Sequence, residues 1–233
     1  NYNQGAWVDV WDSTLNGGSG AYKRITTNGV ITGSAALIGS SSKPIKIHGP
    51  VTFTQDCLIK GYVEGQGTIY TGRNVHIVGS IRYKNGPDFR GNNLTNIDNA
   101  NEKKDMVALA ARGSVIMGNT TTFTNAYPLQ YMTPPFTKGR YDENGTWIPP
   151  FDAKQIDSTG IMRYKTVMGD AYMNSIAEGI NTIDAVLYTN FVGGGNIGTG
   201  GGGVAFNGSI ISKDEAMVVF SLPMQMNYDT RIR

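Results

Sequence analysis

The stretch Val51–Ser80, VTFTQDCLIKGYVEGQGTIYTGRNVHIVGS, decides the fold of this 233-residue chain. It repeats short apolar segments with a period of two residues, and none of them is long enough for a helix. The apolar segments are Val51/Phe53, Leu58/Ile59, Tyr62/Val63, Ile69/Tyr70 and Val75/Ile77/Val78, and the separating glycines are Gly61, Gly65, Gly67, Gly72 and Gly79. Short strands at close spacing predict an all-β fold, a parallel β-helix (β-solenoid) with long inserted loops and at most one short helix.

The composition supports this fold class and excludes some functions. Charged residues make up 16% of the chain and 31 residues are glycine, which is typical of turn-rich β-proteins. The net charge is +2 and no basic run exceeds Lys103–Lys104, so there is no electrostatic argument for nucleic-acid binding. No apolar stretch approaches the roughly 20 residues of a membrane-spanning helix, so we expect no membrane span in this chain.

Two units are predicted along the chain. Residues 1–20 form an N-terminal strand followed by the flexible tether NGGSG, and residues 21–233 form a single β-solenoid domain. Loop insertions are expected near residues 85–105, 127–151 and 193–203. The best helix candidate is Asp170–Ile180, where Asp170 could cap the helix and Gly179 could end it.

An internal repeat extends the pattern beyond the first stretch. The segment ARGSVIMG at 111–118 is similar to TGRNVHIVG at 71–79. The matched pairs are Arg73 with Arg112, Val75 with Val115, Ile77 with Met117 and, less closely, Gly79 with Gly118. We therefore predict strands over Met106–Met117, on the far side of an inserted loop.

The N-terminal strand carries candidate assembly contacts. In an extended GAWVDVWD segment, Trp7, Asp9 and Trp11 lie on one face, while Val8 and Val10 lie on the other. A strand with apolar groups on both faces needs cover on both sides, from its own domain or from a neighbouring chain by strand addition. We therefore single out Trp7, Val8, Val10 and Trp11 as the assembly residues.

Catalytic motifs are weak throughout. The Gly193–Gly203 loop lacks the Lys-Ser/Thr pair of a phosphate-binding loop, and Asp142–Gly145 lacks the other ligands of a calcium loop. His48 and His76 are the two histidines, and Cys57 is the single cysteine, interpreted as a small core residue. We expect no catalytic, cofactor-binding or metal-ligating residues, no cofactor and no enzyme activity.

A proline- and aromatic-rich segment, Tyr127–Phe151, supports an alternative function. Its Pro-Pro pairs prevent a regular strand ladder, so we interpret it as a loop packed on the side of the solenoid. Its aromatic side chains could stack on sugar rings, in a carbohydrate-binding or carbohydrate-cleaving protein. The possible sugar-stacking residues are Tyr127, Tyr131, Tyr141 and Trp147.

Several segments resemble known proteins. The strings IDAVLYTN, FNGSIISKDEA and MNYDTRI between Ile183 and Ile232 look like the C-terminal part of bacterial PilX-type, pilus-assembly-associated proteins. GTIYTGRNVHIVG and DMVALAARGSVIMG resemble earlier segments of the same group. KGYVEGQGTIYTGRNVHIVGSI is more faintly similar to bactofilins, cytoskeletal β-helices that polymerise end to end. The resemblance implies a β-rich surface protein with a structural or assembly role, and it transfers no site residues.

These observations predict a structural protein, extracellular or on a bacterial cell surface. It would self-assemble into a fibre or associate with a pilus, through open solenoid ends and an exchanged N-terminal strand. Its partners would be copies of itself, pilus components or surface glycans. A trimeric phage or adhesin fibre module is left open.

Overall fold

A computed structural model describes residues 5–26, 28–91, 93–118, 140–141, 144–145, 147–148, 160–161, 164–195, 197, 203–213, 215–216 and 223–232. β-Strands dominate these residues, which confirms the predicted all-β class. The described residues also contain two α-helices, α1 (Leu94–Asn101) and α2 (Asp170–Ile176), so the prediction of at most one helix is wrong.

The strands are short, apart from one of 15 residues. They are β1 (Trp7–Asp12), β2 (Ala21–Thr26), β3 (Val30–Ile31), β4 (Ala35–Ile38), β5 (Ile45–Phe53), β6 (Cys57–Thr71), β7 (Val75–Tyr83), β8 (Met106–Ala111), β9 (Val115–Met117), β10 (Arg140–Tyr141), β11 (Trp147–Ile148), β12 (Thr182–Thr189), β13 (Val192–Gly195), β14 (Val204–Ser212), β15 (Glu215–Ala216) and β16 (Met224–Tyr228). β10 and β11 form a separate two-stranded sheet, and the other 14 strands form one sheet.

Most of the large sheet is parallel and runs in two rows. In one row β5, the second part of β6, β8, β12, β14 and β16 are successive neighbours. In the other row the neighbours are β4, the first part of β6, β7, β9, β13 and β15. Core side chains stack in register between strands, and Val51, Ile69, Leu109 and Leu187 form one such fully buried column.

Strand β6 belongs to both rows because it bends at Gly61. Its first residues, Cys57–Lys60, pair with β4, whereas the residues from Val63 onward pair with β5. Gly61 has φ +93°, and a Cβ atom there would collide with the carbonyl oxygen of Gly39. Sequence periodicity predicted several short strands here, but the glycines at this corner let one strand continue through the bend.

Polar side chains connect the turns that join the two rows. The backbone N–H of Asp56 donates to Ser34 Oγ at 3.0 Å. The N–H of Asn74 donates to Asp56 Oδ1 at 3.0 Å, and the N–H of Ser114 donates to Asn74 Oδ1 at 2.9 Å. Each side chain thus satisfies a buried backbone donor of the next turn, which fixes the stacking of successive turns.

Helix α2 covers part of the outer face of the second row. Met173 packs on Leu58 and Val78, and all three side chains are fully buried. Strands β6 and β7 are therefore buried on both faces at this point, which explains their continuous apolar sequence. The helix begins after Gly169, without a side-chain cap, and ends at Ile176. Asp170 is its first residue and Gly179 lies beyond its end, so the predicted cap and stop are wrong.

Two insertions contain regular structure that the sequence did not predict. The polar loop near residues 85–105 contains α1, whose N-cap Asn93 accepts a hydrogen bond from the N–H of Asn96. The glycine-rich segment near 193–203 begins inside β13, where Gly193–Gly195 pair with Val115–Met117. A Cβ atom at Gly195 would collide with the Met117 carbonyl, so glycine permits the close strand approach there.

The internal repeat and several strand predictions are confirmed. Val75 pairs with Val115 and Ile77 pairs with Met117 in adjacent parallel strands. The sequence comparison matched Arg73 with Arg112, but in the structure the Arg73 carbonyl accepts the N–H of Gly113, one residue further along.

Cys57 is buried in the core as predicted, and burial raises the pKa of its thiol. None of the helices within the described ranges has the length and apolar character needed to cross a bilayer.

Candidate functional site

The free side of β16, Met224–Tyr228, is an open edge of the sheet; we call it the C-terminal edge. β16 pairs with β14, and among the described residues no strand pairs with its other side. The N–H of Val204 donates to the Pro223 carbonyl at 2.9 Å. Since backbone groups alternate sides along a strand, those of Met224, Met226 and Tyr228 point away from β14.

The same three residues form the last layer of the core. Met224 lies opposite Val204, Met226 opposite Phe206 and Tyr228 opposite Gly208. Phe206 is 1% exposed, but Met226 is 61% exposed and Tyr228 is 55% exposed. The inward-facing column thus ends in apolar side chains that no further strand of the described ranges covers.

An amide ladder on the opposite face fixes the register of β16. Asn207 Nδ2 donates to Asp184 Oδ1 at 2.6 Å, and Asn227 Nδ2 donates to Asn207 Oδ1 at 2.7 Å. Burial raises the pKa of Asp184, and its hydrogen bonds from Asn207 and from the backbone N–H of Tyr83 oppose that rise. The ladder holds β16 against β14 at a defined position.

The chain after β16 is also anchored. Arg231 forms an ion pair with Asp229, with Nη2 2.7 Å from Oδ2, and both side chains are nearly buried. The Arg231 guanidinium donates to the carbonyls of Asn101, Lys104 and Asp105. The C-terminal edge is therefore held at both ends of the strand, so a partner would meet a preformed edge.

At the N-terminal end of the sheet, a hairpin covers the core. β1 pairs antiparallel with both β2 and β5. Val8 of β1, Ala6 just before it and Leu37 of β4 are all buried. The two ends of the sheet thus differ, because the hairpin covers the core at one end and nothing in the described ranges covers it at the other.

The predicted assembly residues make contacts within their own chain. Val8 is fully buried in the core and Val10 packs against it. The Trp7 ring stacks on His48 with centroids 5.9 Å apart, and the Trp11 ring meets Tyr22 edge-on at 5.4 Å. Exchange of this strand between chains stays a prediction.

The predicted sugar-stacking residues are only partly located. Tyr127 and Tyr131 lie outside the described residues. Tyr141 and Trp147 are directly paired in the β10–β11 hairpin. Their use as stacking platforms stays a prediction.

One buried group of ionisable side chains in the described part of the chain surrounds Asp56. His76 Nε2 lies 3.9 Å from Asp56 Oδ2, and Arg73 donates to the same carboxylate at 2.8 Å. His76 and Asp56 are 0% exposed, so a substrate could not reach either side chain in this conformation. Within the described part of the chain, no group of His, Cys, Asp or Glu residues is arranged to hold a metal.

Comparison of the chain with protein-family models, curated proteins and solved structures finds no match. The resemblance to PilX-type proteins and to bactofilins therefore stays a prediction. In the sequence, the residues of MQMNY at the C-terminal edge alternate with a period of two, which is typical of a strand. This alternation did not show that this strand would end the core uncovered, because that depends on which strand pairs with it.

Proposed function

We propose that this protein is a structural subunit, a β-solenoid that self-assembles by pairing its C-terminal edge with that of a second copy. The observation that carries the proposal is the exposure of Met226 and Tyr228 at the end of an otherwise buried core. The two parallel rows and the turn-to-turn hydrogen bonds from Ser34 to Ser114 support the solenoid.

The sequence of β16 is suited to antiparallel pairing with itself. A two-fold axis through Met226 would place Met226 opposite its copy and Met224 opposite Tyr228 of the other subunit. All apolar side chains would then lie on the core side, and Gln225 would face Asn227 on the other side. The outward-pointing backbone groups of Met226 would form a hydrogen-bonded pair with those of its copy.

This arrangement favours a closed dimer over a fibre. A two-fold interface uses the same surface on both subunits and leaves no second copy of that surface free. A fibre would need another contact, and the N-terminal end is covered by the β1–β2 hairpin. The predicted pilus association and surface location would be additional properties of this dimer, and they stay predictions.

Sedimentation analysis over a wide concentration range tests the proposal with Met226→Lys. We expect a reversible dimer for the unmodified chain. The substitution should raise its dissociation constant about a hundredfold, because two apolar contacts of about 1.5 kcal/mol each are lost across the axis. Tyr188→Lys is the matched control, since Tyr188 is 41% exposed but lies on β12 between two paired strands.

Cross-linking tests the two-fold geometry independently. In a hydrogen-bonded antiparallel pair the Cα atoms are about 5.5 Å apart, which suits a disulfide. Met226→Cys should therefore form a covalent dimer on oxidation, whereas Met224→Cys should not, because its counterpart is Tyr228. Cys57 is buried and should not interfere. A monomer at every concentration, or equal cross-linking of both variants, would refute the proposal.

A further inference from the structure

The outer face of the N-terminal end carries cations held against aromatic rings. Strands β2, β1 and β5 are adjacent there. Lys43 Nζ lies 3.8 Å from the centroid of the Trp11 ring, and Lys46 Nζ lies 4.5 Å from that of Tyr22. Trp11 and Tyr22 contact each other, so the two lysines and two rings form one continuous group, here called the lysine–aromatic surface.

The positions of these lysines are set by the rings beneath them. A Cβ atom at Gly20, which has φ +78°, would overlap the Trp11 indole, so that ring packs directly on the glycine backbone. A cation over an aromatic ring face is attracted to the negative potential of that face. The ammonium groups are therefore held in place, while their remaining N–H donors stay available to a ligand.

The charge of these lysines is not neutralised by an ion pair. Across the described ranges, no carboxylate lies within 4.0 Å of the Lys43 or Lys46 ammonium group, although Lys46 lies opposite Asp9 on one neighbouring strand and opposite Glu64 on the other. Lys84 adds a third ammonium group nearby, where its Nζ donates to the Ser41 carbonyl at 2.8 Å.

On the adjoining half of the same face, the cation over the aromatic ring is paired with a carboxylate. Arg24 lies over the Trp7 ring at 4.2 Å, but it also forms two hydrogen bonds with the Asp9 carboxylate at 2.7 and 2.9 Å. The positive charge of Arg24 is therefore neutralised by Asp9. The free positive charge is thus concentrated at Lys43 and Lys46.

We propose that the lysine–aromatic surface binds an acidic polysaccharide. Carboxylates on successive sugar units would accept hydrogen bonds from Lys43 and Lys46, and the C–H faces of the sugars would pack against the exposed parts of Trp11 and Tyr22. The site lies on a three-stranded face, along which an extended chain could lie. This binding surface is separate from the C-terminal edge and does not depend on dimer formation.

Titration calorimetry with polygalacturonate tests the proposal, with uncharged dextran as the reference polymer. The double variant Lys43→Gln/Lys46→Gln should weaken binding of polygalacturonate about tenfold, because two charge-assisted hydrogen bonds are lost. Lys103→Gln/Lys213→Gln removes the same net charge from two exposed lysines that lie in turns outside strands β1, β2 and β5. That control should change the affinity about twofold or less.

Other outcomes would overturn the proposal. Absence of binding to polygalacturonate, equal binding to dextran, or unchanged affinity in the Lys43/Lys46 variant would each do so. Tighter, lysine-dependent binding to phosphatidylserine vesicles or to single-stranded DNA would assign the surface to a different class of partner. The Met226→Lys variant should bind polygalacturonate like the unmodified chain, which separates this test from that of self-assembly.

Discussion

Asp56→Ala is expected to lower the free energy of unfolding by about 3–5 kcal/mol. The Asp56 carboxylate is fully buried and accepts hydrogen bonds from Arg73 and from the backbone N–H groups of Asn74 and Val167. Removing it takes away the acceptor of two backbone N–H groups and a carboxylate partner of the 10% exposed Arg73 side chain. Urea unfolding followed by circular dichroism would measure the loss.

The position of Asp56 explains why a single carboxylate has this effect. It joins two successive turns and also holds the segment before α2, through Val167 and through the Arg73 bond to the Lys165 carbonyl. Asp56→Asn keeps one acceptor oxygen, so its cost should be smaller, about 2 kcal/mol.

An exposed ion pair provides the control for Asp56. Asp88 and Arg90 form an ion pair whose side chains are 54% and 91% exposed. Asp88→Ala should therefore cost less than about 1 kcal/mol. If Asp56→Ala and Asp88→Ala had similar effects, the turn hydrogen bonds would not be the source of stability that we infer.

Strand positions were predictable where apolar residues alternate with glycine. The Val51–Ser80 stretch contains all of β6 and parts of β5 and β7. The similarity of residues 111–118 to it matched Val115 with Val75 and Met117 with Ile77, which are neighbours in the sheet. These predictions succeeded because stacked parallel strands repeat the same local environment, so the same residue types recur at matching positions.

Features that depend on distant residues were not predictable. The Leu58 and Val78 side chains face outward and are buried because α2, more than 90 residues further along the chain, packs on them. In the sequence, Asn101 is indistinguishable from the other polar residues of its loop. In the structure its buried side-chain amide accepts a hydrogen bond from the Asp88 N–H and donates one to the Asp88 carbonyl, which anchors helix α1. The open C-terminal edge likewise follows from strand order, which periodicity does not encode.

Acidification is expected to destabilise the protein through His76. The imidazole is 0% exposed, and neither ring nitrogen has a hydrogen-bond partner among the described residues. Burial lowers the pKa of His76 from 6.5 to about 4, while Asp56 opposes the shift and Arg73 adds to it. The folded state therefore keeps this histidine neutral in a pH range where the unfolded chain protonates it.

The sign of the pH effect follows from that difference. Above pH 6.5 both states hold His76 neutral, and its contribution to stability is fully present. Between pH 6.5 and about 4 the unfolded state binds the extra proton, so stability falls as the pH falls. The difference between the pKa values of His76 in the two states corresponds to a loss of about 3 kcal/mol in the free energy of unfolding once the pH is below both values.

His76→Leu isolates this contribution from other titrating groups. Leu58 and Ile116 occupy the same position on the neighbouring strands and are buried, so leucine matches its surroundings. Urea unfolding of both proteins at a series of pH values should show the unmodified chain losing about 3 kcal/mol relative to the variant between pH 7 and pH 4. Parallel stability curves for the two proteins would show that protonation of His76 does not oppose folding.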